Sequence, residues 1–220
     1  MTAHYQEFRL DDPAVIARVI MRWPFAAIVA NGPEWPVVAH APLVLSKAAG
    51  GREGFDAVEF HLAKINPALA DLGDGIPVTL DVQGPSAHVS PAWYMGRFAN
   101  SDADRSRTAP TWDYLTLTMR GHLAVLSDAE LAAHLADLVG QTEGENGWRI
   151  SEIDPGFFTG LRSHILGYRV RIESFDCIAK FSQDKSDADI AGIIAGLCRR
   201  GRGQDRSVAE LVGSLAGITG

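Results

Sequence analysis

Apolar residues recur with two different periods along the first 45 positions, and each period predicts a different element. Residues 12–24 predict a helix, because apolar side chains recur at helical spacing between a capping Asp-Pro pair and a terminating proline. The run from Phe25 to Ala30 is typical of a short buried strand. Residues 35–45 are predicted to return beside it as a hairpin, after the turn signal Asn31-Gly32-Pro33.

Four further strands are predicted along the rest of the chain, three of them (76–82, 114–126 and 168–175) from alternation of apolar and polar residues. The predicted strands are 57–62, 76–82, 114–126 and 168–175. In 114–126 the alternation places Leu115, Leu117, Met119 and Gly121 on one side. The strands before and after the segment 84–114 are expected to be neighbours in one sheet.

Helix start signals lie between and after these strands. Asn66-Pro67 and Asp154-Pro155 predict short helices, and Ser127 with Glu130 forms a capping box. Two more helices, 186–197 and 207–215, are predicted near the end of the chain. The connections are too short for repeated βαβ crossovers. We therefore predict an antiparallel barrel with peripheral helices, in a single domain of residues 1–220 with a C-terminal helical appendage at 186–217.

Composition narrows the class of protein. The 220 residues carry a formal net charge of −7, which argues against general affinity for nucleic acid or acidic membranes. The two cysteines, Cys177 and Cys198, are too few for a disulfide framework. A basic, apolar leader and a membrane-length apolar run are both lacking. These features predict a soluble, cytoplasmic protein without a membrane partner.

The sequence does not match common catalytic motifs. The serine in Gly84-Pro85-Ser86 lacks the glycine that a nucleophile elbow needs behind it. The seven histidines form no tight metal-ligand pair, and there is no phosphate-binding loop of the P-loop type. Gly201-Arg202-Gly203 is half of a dinucleotide fingerprint, but it follows a predicted helix instead of a strand. We predict neither a metal site nor a catalytic nucleophile.

Two polar clusters are candidates for ligand binding. The segment 60–67 leaves a strand and enters a helix, so backbone amides and Lys64 could face an anion; a solvated lysine beside an asparagine cap is the alternative. In 178–184, Lys180 and Ser182 share one face if the strand continues to them, and Gln183 follows. A sheet edge that faces water would look the same.

Aromatic and imidazole side chains gather in two proline-bounded segments, 84–94 and 109–114. They suit a flat ligand with polar edges, although aromatics near prolines are also common as core or interface anchors. The side chains in question are Trp93, Tyr94, Trp112, Tyr114, His61, His88 and His122. Each histidine could equally be a core imidazole with satisfied hydrogen bonds.

These motifs together resemble one family. They are His-Leu-Ala-Lys-Ile-Asn-Pro at 61–67, Gly-Pro-Ser-Ala-His-Val-Ser-Pro-Ala-Trp-Tyr at 84–94, Ala-Pro-Thr-Trp-Asp-Tyr at 109–114 and Lys-Phe-Ser-Gln-Asp at 180–184. In order and spacing they resemble the PaiB family, the FMN-binding "negative transcriptional regulators". The resemblance extends from the N-terminal helix to about Leu197.

The resemblance implies a split β-barrel of the flavin reductase and pyridoxamine-phosphate oxidase kind, with FMN at a homodimer interface. Carried over by position, it assigns three groups of cofactor-binding residues. The phosphate and ribityl side would be His61, Lys64 and Asn66; the wall would be Ser90, Trp93, Tyr94, Thr111 and Trp112; the distal strand would add Lys180, Ser182 and Gln183. The resemblance leaves open whether the chain is an FMN-dependent oxidoreductase, because the flavin itself would carry the redox chemistry.

The chain also departs from the family pattern. Phe60 stands where the family usually has glycine, Asp184 replaces an asparagine, and Cys177-Ile178-Ala179 replaces a glycine-lysine lead-in. An extra carboxylate beside a flavin phosphate would be unfavourable.

Two alternative functions remain open from the residues. A regulator could contact DNA through the terminal helices, whose arginines at 199, 200, 202 and 206 are the clearest basic cluster. A related split barrel could instead bind and degrade haem, with His61, His88 or His122 as the iron ligand.

Overall fold

The computed structural model describes residues 3–46, 56–95 and 108–217. Within these ranges seven strands form one antiparallel sheet, in the order β2-β1-β5-β6-β7-β4-β3. The strands are β1 (Phe25–Ala30), β2 (Val37–Pro42), β3 (Val44–Leu45), β4 (Ala57–Ala63), β5 (Pro77–Val89), β6 (Thr111–Val125) and β7 (Ile165–Lys180). The prediction of an antiparallel, mainly β arrangement with helices around it is confirmed, and β5 and β6 are neighbours as expected.

Five α-helices accompany the sheet in the described residues. They are α1 (Pro13–Arg22), α2 (Asp128–Glu143), α3 (Pro155–Arg162), α4 (Asp187–Arg200) and α5 (Asp205–Leu215). The local start signals work as predicted: the Asp12 carboxylate accepts from the Ala14 amide, and Ser127 and Glu130 form the reciprocal capping box of α2. The element at Pro67–Ala70 is a 3-10 helix of four residues. None of these helices combines the length and the apolar character that crossing a bilayer requires.

The chain divides into two compact units. The first unit comprises Leu10–Gln83 and Leu117–Cys177, and the second comprises the described residues of 1–9, 84–116 and 178–220. Strands β5, β6 and β7 contribute residues to both. The single domain with an appendage at 186–217 stays a prediction.

Each unit has its own apolar core. In the first unit, β-strand residues such as Leu117 and Met119 are fully buried, together with Ile16 and Ile20 of α1. In the second unit, Ile193, Leu197, Val208 and Val212 of α4 and α5 are buried with Phe181. The alternation predicted for 114–126 is therefore confirmed, since its apolar side faces the interior.

Four strands are longer than their patterns predict, β5 and β7 most clearly. β5 continues through Gly84 and Pro85 to Val89, although these residues indicate a turn from sequence alone. β1 pairs only with Val78–Val82 of β5, so Pro85 lies beyond the part of β5 that pairs with β1. The predicted second strand is instead divided at Leu43 into β2 and β3.

Candidate functional site

The predicted site residues fall into two groups, one in each unit. The first unit holds His61, Lys64 and Asn66; the second holds Ser90, Trp93, Tyr94, Thr111, Trp112, Lys180, Ser182 and Gln183.

Lys64 and Asn66 lie directly after β4, in the segment predicted to face a phosphate. The Lys64 ammonium donates to the carbonyl oxygen of Ser163 at 2.8 Å, and the side chain is exposed. The Asn66 side chain accepts from the amide of Ala68 at 3.0 Å. Since Pro67 has no N–H and the next amide is already bonded, Lys64 is the better anion-binding group of this segment.

His61 points toward α2 and bonds to a second histidine. Its Nδ1 lies 3.0 Å from Nε2 of His134, which is 1% exposed. Nδ1 of His134 lies 3.7 Å from Oε2 of Glu59. Burial lowers the pKa of His61, and burial followed by the neighbouring imidazole lowers the pKa of His134 to about 4. Both rings are therefore neutral at pH 7.

Glu59 is a buried carboxylate held by a fixed cation. Its Oε1 accepts from Arg169 Nη2 at 2.8 Å and from the Ser46 hydroxyl at 2.8 Å. Arg169 also bridges to Oε1 of Glu130 at 2.9 Å. The backbone and hydroxyl of Ser127, together with Arg169, lower the pKa of Glu130 to about 2. Glu130 thus remains ionised, and both carboxylates contact one guanidinium.

A cleft of about 270 Å³ opens on the outer side of β1, β2 and β5, within the first unit. Ala27 pairs with His40 on one side and with Asp81 on the other, so a small residue lies in the middle of this row. Phe25 stacks on His40 with ring centroids 6.2 Å apart, and Gln83 completes the lining.

Sequence reasoning missed this cleft. A usable signal was present: Asp81 and Gln83 are two apart in a predicted strand and so share its outer face. Elsewhere in the first unit, β2 packs against the 3-10 helix that follows Lys64.

In the second unit, Lys180 holds the start of β6 by two hydrogen bonds. Its ammonium donates to the Thr111 hydroxyl at 2.5 Å and to the Trp112 carbonyl at 3.1 Å. The Trp112 indole is 57% exposed and meets the His88 ring edge-on at 6.3 Å. The structure thus brings these three predicted residues together, with one aromatic face open to a ligand.

Ser182 and Gln183 are occupied by the protein's own groups. The Ser182 hydroxyl donates to Oδ2 of Asp113 at 2.7 Å, and Ser182 adopts the left-handed region at φ 56°. The Gln183 side chain accepts from the Phe181 amide at 2.6 Å and donates to the Ala179 carbonyl at 2.7 Å. Both side chains build the turn after β7.

Asp113 is fully buried, and its Oδ1 has no hydrogen-bond partner among the described residues. Burial raises the pKa of this carboxyl from 3.8 to about 6, and the Ser182 hydroxyl and Lys180 oppose the shift. A buried acid that titrates near pH 6 is therefore built into the second unit.

Trp93 lies in a notch of α4. A Cβ at Gly192 would come within 2.0 Å of the Trp93 carbonyl oxygen, and one at Gly196 within 2.3 Å of its indole. Arg200 lies over the same ring, 4.9 Å from the ring to the guanidinium carbon. The indole is thus an anchor for α4, and only glycine fits opposite it.

Ser90 and Tyr94 bracket the short helix Pro91–Trp93. The Ser90 hydroxyl accepts from the Ala92 amide at 3.3 Å. Tyr94 is 5% exposed, and burial raises the pKa of its hydroxyl. Both residues therefore stabilise the conformation of this segment.

The basic cluster near the C-terminus is partly used inside the unit. Arg200 donates to Oδ2 of Asp205 at 2.7 Å and to the carbonyl of His88 at 2.9 Å. DNA contact through these helices stays a prediction, and it would depend on the exposed Arg199, Arg202 and Arg206.

The three histidines considered as haem ligands each have a partner. His61 bonds to His134, His88 Nδ1 lies 3.2 Å from Arg200 Nη1, and His122 Nδ1 lies 2.7 Å from Glu173 Oε1. Haem binding stays a prediction that would require one of these contacts to be given up.

The departures from the family pattern have local explanations. Phe60 is fully buried and stacks on Tyr168 with centroids 5.3 Å apart, so it belongs to the core. The Asp184 carboxylate pairs with Lys185, which offsets the charge that would oppose an anion.

Comparison with known proteins finds a matching family and a named relative. Residues 4–174 match the model of a family described as "Putative FMN-binding domain". The chain is 23% identical over 207 residues to the "Protease synthase and sporulation protein PAI 2" of Bacillus subtilis, covering 93% of each chain.

Two solved structures share the fold at low identity. The flavocytochrome Anf3 from Azotobacter vinelandii has a TM-score of 0.60 and 15% identity, covering 86% of this chain and 78% of that one. The FAD and haem binding protein from Mycobacterium smegmatis has a TM-score of 0.53 and 18% identity, covering 84% and 79%. Both likenesses concern the fold alone.

Proposed function

Because the chain belongs to this FMN-binding family, FMN is its cofactor, as the resemblance implied, and we propose that it is a redox flavoprotein acting as a homodimer. The outer cleft of the first unit supports the proposal most directly, and the exposed Lys64 of the same unit is the candidate for the phosphate.

The cleft suits the ring system of a flavin. Small-molecule pockets measure ~300–1,000 Å³; at about 270 Å³ the cleft is of a size for a planar ring, with the rest of the ligand outside it. Phe25 and His40 supply a stacked rim. Gln83 donates to Asp81 at 3.5 Å and Thr118 donates to it at 3.1 Å, and the carboxylate and the amide each keep a further lone pair or N–H for a polar ring edge. The residues present therefore fit the group.

Lys64 supplies the charge for the phosphate. Its ammonium keeps donors beyond the one given to the Ser163 carbonyl, and its exposure leaves it accessible. We assign Asn66 to the support of this segment, because it caps the following helix; His61 bonds to α2 through Nδ1 and keeps its other ring nitrogen, Nε2, for the phosphate.

The residues of the second unit remain part of the proposal. The exposed Trp112 indole is the best candidate there for stacking on a ligand. Thr111, Lys180, Ser182, Gln183, Ser90, Trp93 and Tyr94 would act by holding this surface in place.

The chemistry requires little of the protein beyond binding. When bound, FMN supplies the capacity to take up and release electrons at its ring. The side chains of the cleft orient the ring and exclude water from one of its faces, and no nucleophile is needed. An oxidoreductase activity is compatible with this division of roles.

The outer face that carries the cleft also supports a homodimer. Alternation along β1 and β2 places Phe25, Ala27, Val38 and His40 on this one face. Phe25 is 62% exposed and Val38 is 51% exposed, which is typical of a contact surface for a second copy.

Flavin titration tests the cofactor site. We expect the purified protein to absorb in the flavin bands, to bind added FMN with quenching of its fluorescence, and to be bleached by dithionite. Gln83→Ala should weaken FMN binding severalfold, whereas Gln6→Ala, an exposed glutamine outside the cleft, should not. Equal affinity in both variants would remove the cleft from the proposal.

Light scattering after size exclusion tests the dimer. We expect twice the chain mass for the wild type and the mass of one chain for Val38→Glu. Met21→Glu is the matched control, since Met21 is 48% exposed on α1 and should leave the dimer intact. A monomeric wild type would refute the proposed assembly.

A further inference from the structure

Three titratable side chains of the first unit are in contact in the order His61, His134 and Glu59. Glu59 is fixed by Arg169 and Ser46 through Oε1, which leaves Oε2 facing Nδ1 of His134 at 3.7 Å. No hydrogen-bond partner of that Nδ1 exists among the described residues. A buried carboxylate at this distance favours a proton on the facing nitrogen.

This choice of tautomer propagates to His61. If Nδ1 of His134 carries the proton, its Nε2 carries a lone pair, and that atom lies 3.0 Å from Nδ1 of His61. The contact is a hydrogen bond only if His61 donates, so its Nδ1 is protonated and its Nε2 is an acceptor. His61 is half-buried, three residues before the exposed Lys64.

We infer that His134 is a positioning residue that holds His61 in the Nδ1–H form, so that a bound phosphate dianion draws a proton from solvent onto His61 Nε2. This inference rests on the proposed function for its ligand. The proton arrives at Nε2, no bond to the ligand forms, and the resulting imidazolium still donates Nδ1–H to His134. The phosphate then faces His61 and Lys64 as two cations.

The surrounding charges allow this uptake. Glu59 on β4 and Asp137 on α2 stabilise a positive imidazole chain, whereas Arg169 on β7 opposes it and is neutralised by Glu59 and Glu130. Without ligand, burial keeps the pKa of both histidines low, so the pair is neutral until an anion arrives.

The first test reads the tautomer in the ligand-free protein. Long-range ¹H–¹⁵N NMR at pH 7.5 should show His61 protonated at Nδ1 in the wild type and in His134→Gln, whose side-chain oxygen can replace the lost acceptor. In His134→Leu the Nδ1–H form should no longer dominate. A wild-type His61 protonated at Nε2 would overturn the inference, whatever the protein binds.

The second test reads the proton linkage. Between pH 6.5 and 8.0, FMN affinity should rise about fivefold for each unit that the pH falls, below the tenfold limit of about one proton. Riboflavin, which lacks the phosphate, should show no such slope, and His134→Leu should flatten the FMN slope while His134→Gln retains it. The same slope for riboflavin, or a steep slope in His134→Leu, would overturn the linkage.

The two tests also separate the inference from the function it rests on. A wild type with no FMN affinity would refute the proposed function and the linkage together, while the NMR result would still decide the role of His134. FMN binding without a pH slope would refute the linkage alone.

Discussion

The two groups of predicted residues use their polar side chains in opposite ways. In the second unit, Lys180, Ser182 and Gln183 give their hydrogen bonds to the protein itself, and Trp93 fills a notch of α4. In the first unit, Lys64 is exposed, and so are Phe25 and His40 on the rim of the cleft. A motif of polar and aromatic residues therefore indicates the region of a binding site, and the exposure of each side chain shows which of its members can contact a ligand.

Trp93→Ala should have the largest effect on stability if the side chains of the second unit serve to hold its structure. Removing the indole empties the glycine notch and the space under Arg200, so we expect a loss of about 3 kcal/mol in unfolding free energy. Urea denaturation measures it, with Trp148→Ala as the control at a 40% exposed tryptophan. A stable variant that fails to bind FMN would instead place Trp93 in the cofactor wall.

Asp113→Asn should stabilise the second unit above pH 6. The folded pKa of about 6 lies above the ordinary 3.8, so the folded state binds more protons in this window and wild-type stability falls as pH rises through it. The neutral amide avoids this cost, which amounts to about 2–3 kcal/mol. Denaturation at pH 4 and pH 7.5 should show the gain only at the higher pH.

The matched control for this variant is Asp81→Asn, which changes a half-buried carboxylate of the first unit. It should not reproduce the pH-dependent gain. A less stable Asp113→Asn protein at pH 7.5 would show that the carboxylate is required by its surroundings.

Lys64→Ala should reduce FMN affinity about tenfold and leave riboflavin affinity unchanged, because a charge-assisted contact to the phosphate is lost. Fluorescence titration with both ligands measures the ratio. Lys185→Ala, which removes the partner of Asp184 in the second unit, is the comparison variant. If Lys185→Ala has the larger effect on FMN, the phosphate side has been assigned to the wrong unit.

Phe25→Ala should have the smallest effect, about a threefold loss of flavin affinity, because the stacked rim loses one ring while the cleft keeps its polar groups. Phe157→Ala is an equal control, since both phenylalanines are 62% exposed. Isothermal titration with riboflavin isolates the ring from the phosphate. No difference between the variants would remove Phe25 from the rim.

The parts of the fold that depend on local signals were predictable. The capping box of Ser127 and Glu130 and the start of α1 behind Asp12 involve residues two or three apart, so the sequence contains all that determines them. The strand through Pro85 was not predictable, because Gly84-Pro85 is locally a turn signal and the continuation of β5 depends on tertiary context.

The candidate site was predictable only in part, for a related reason. Lys64 was found from its place between a strand and a helix. His134 was missed, because its meeting with His61 depends on how α2 packs on β4, which spacing along the helix does not show. The motif around Ser182 was found, but its inward use follows from Asp113, which lies 69 positions away.

The opening between β2 and β5 exists because position 27 carries only a methyl group. Ala27 points away from the interior, and its two cross-strand partners, His40 and Asp81, belong to the rim. The size of a group that can enter the cleft is therefore limited by the Ala27 side chain, which the core does not need. The size of the cleft can change at a single outward position, at little cost to folding.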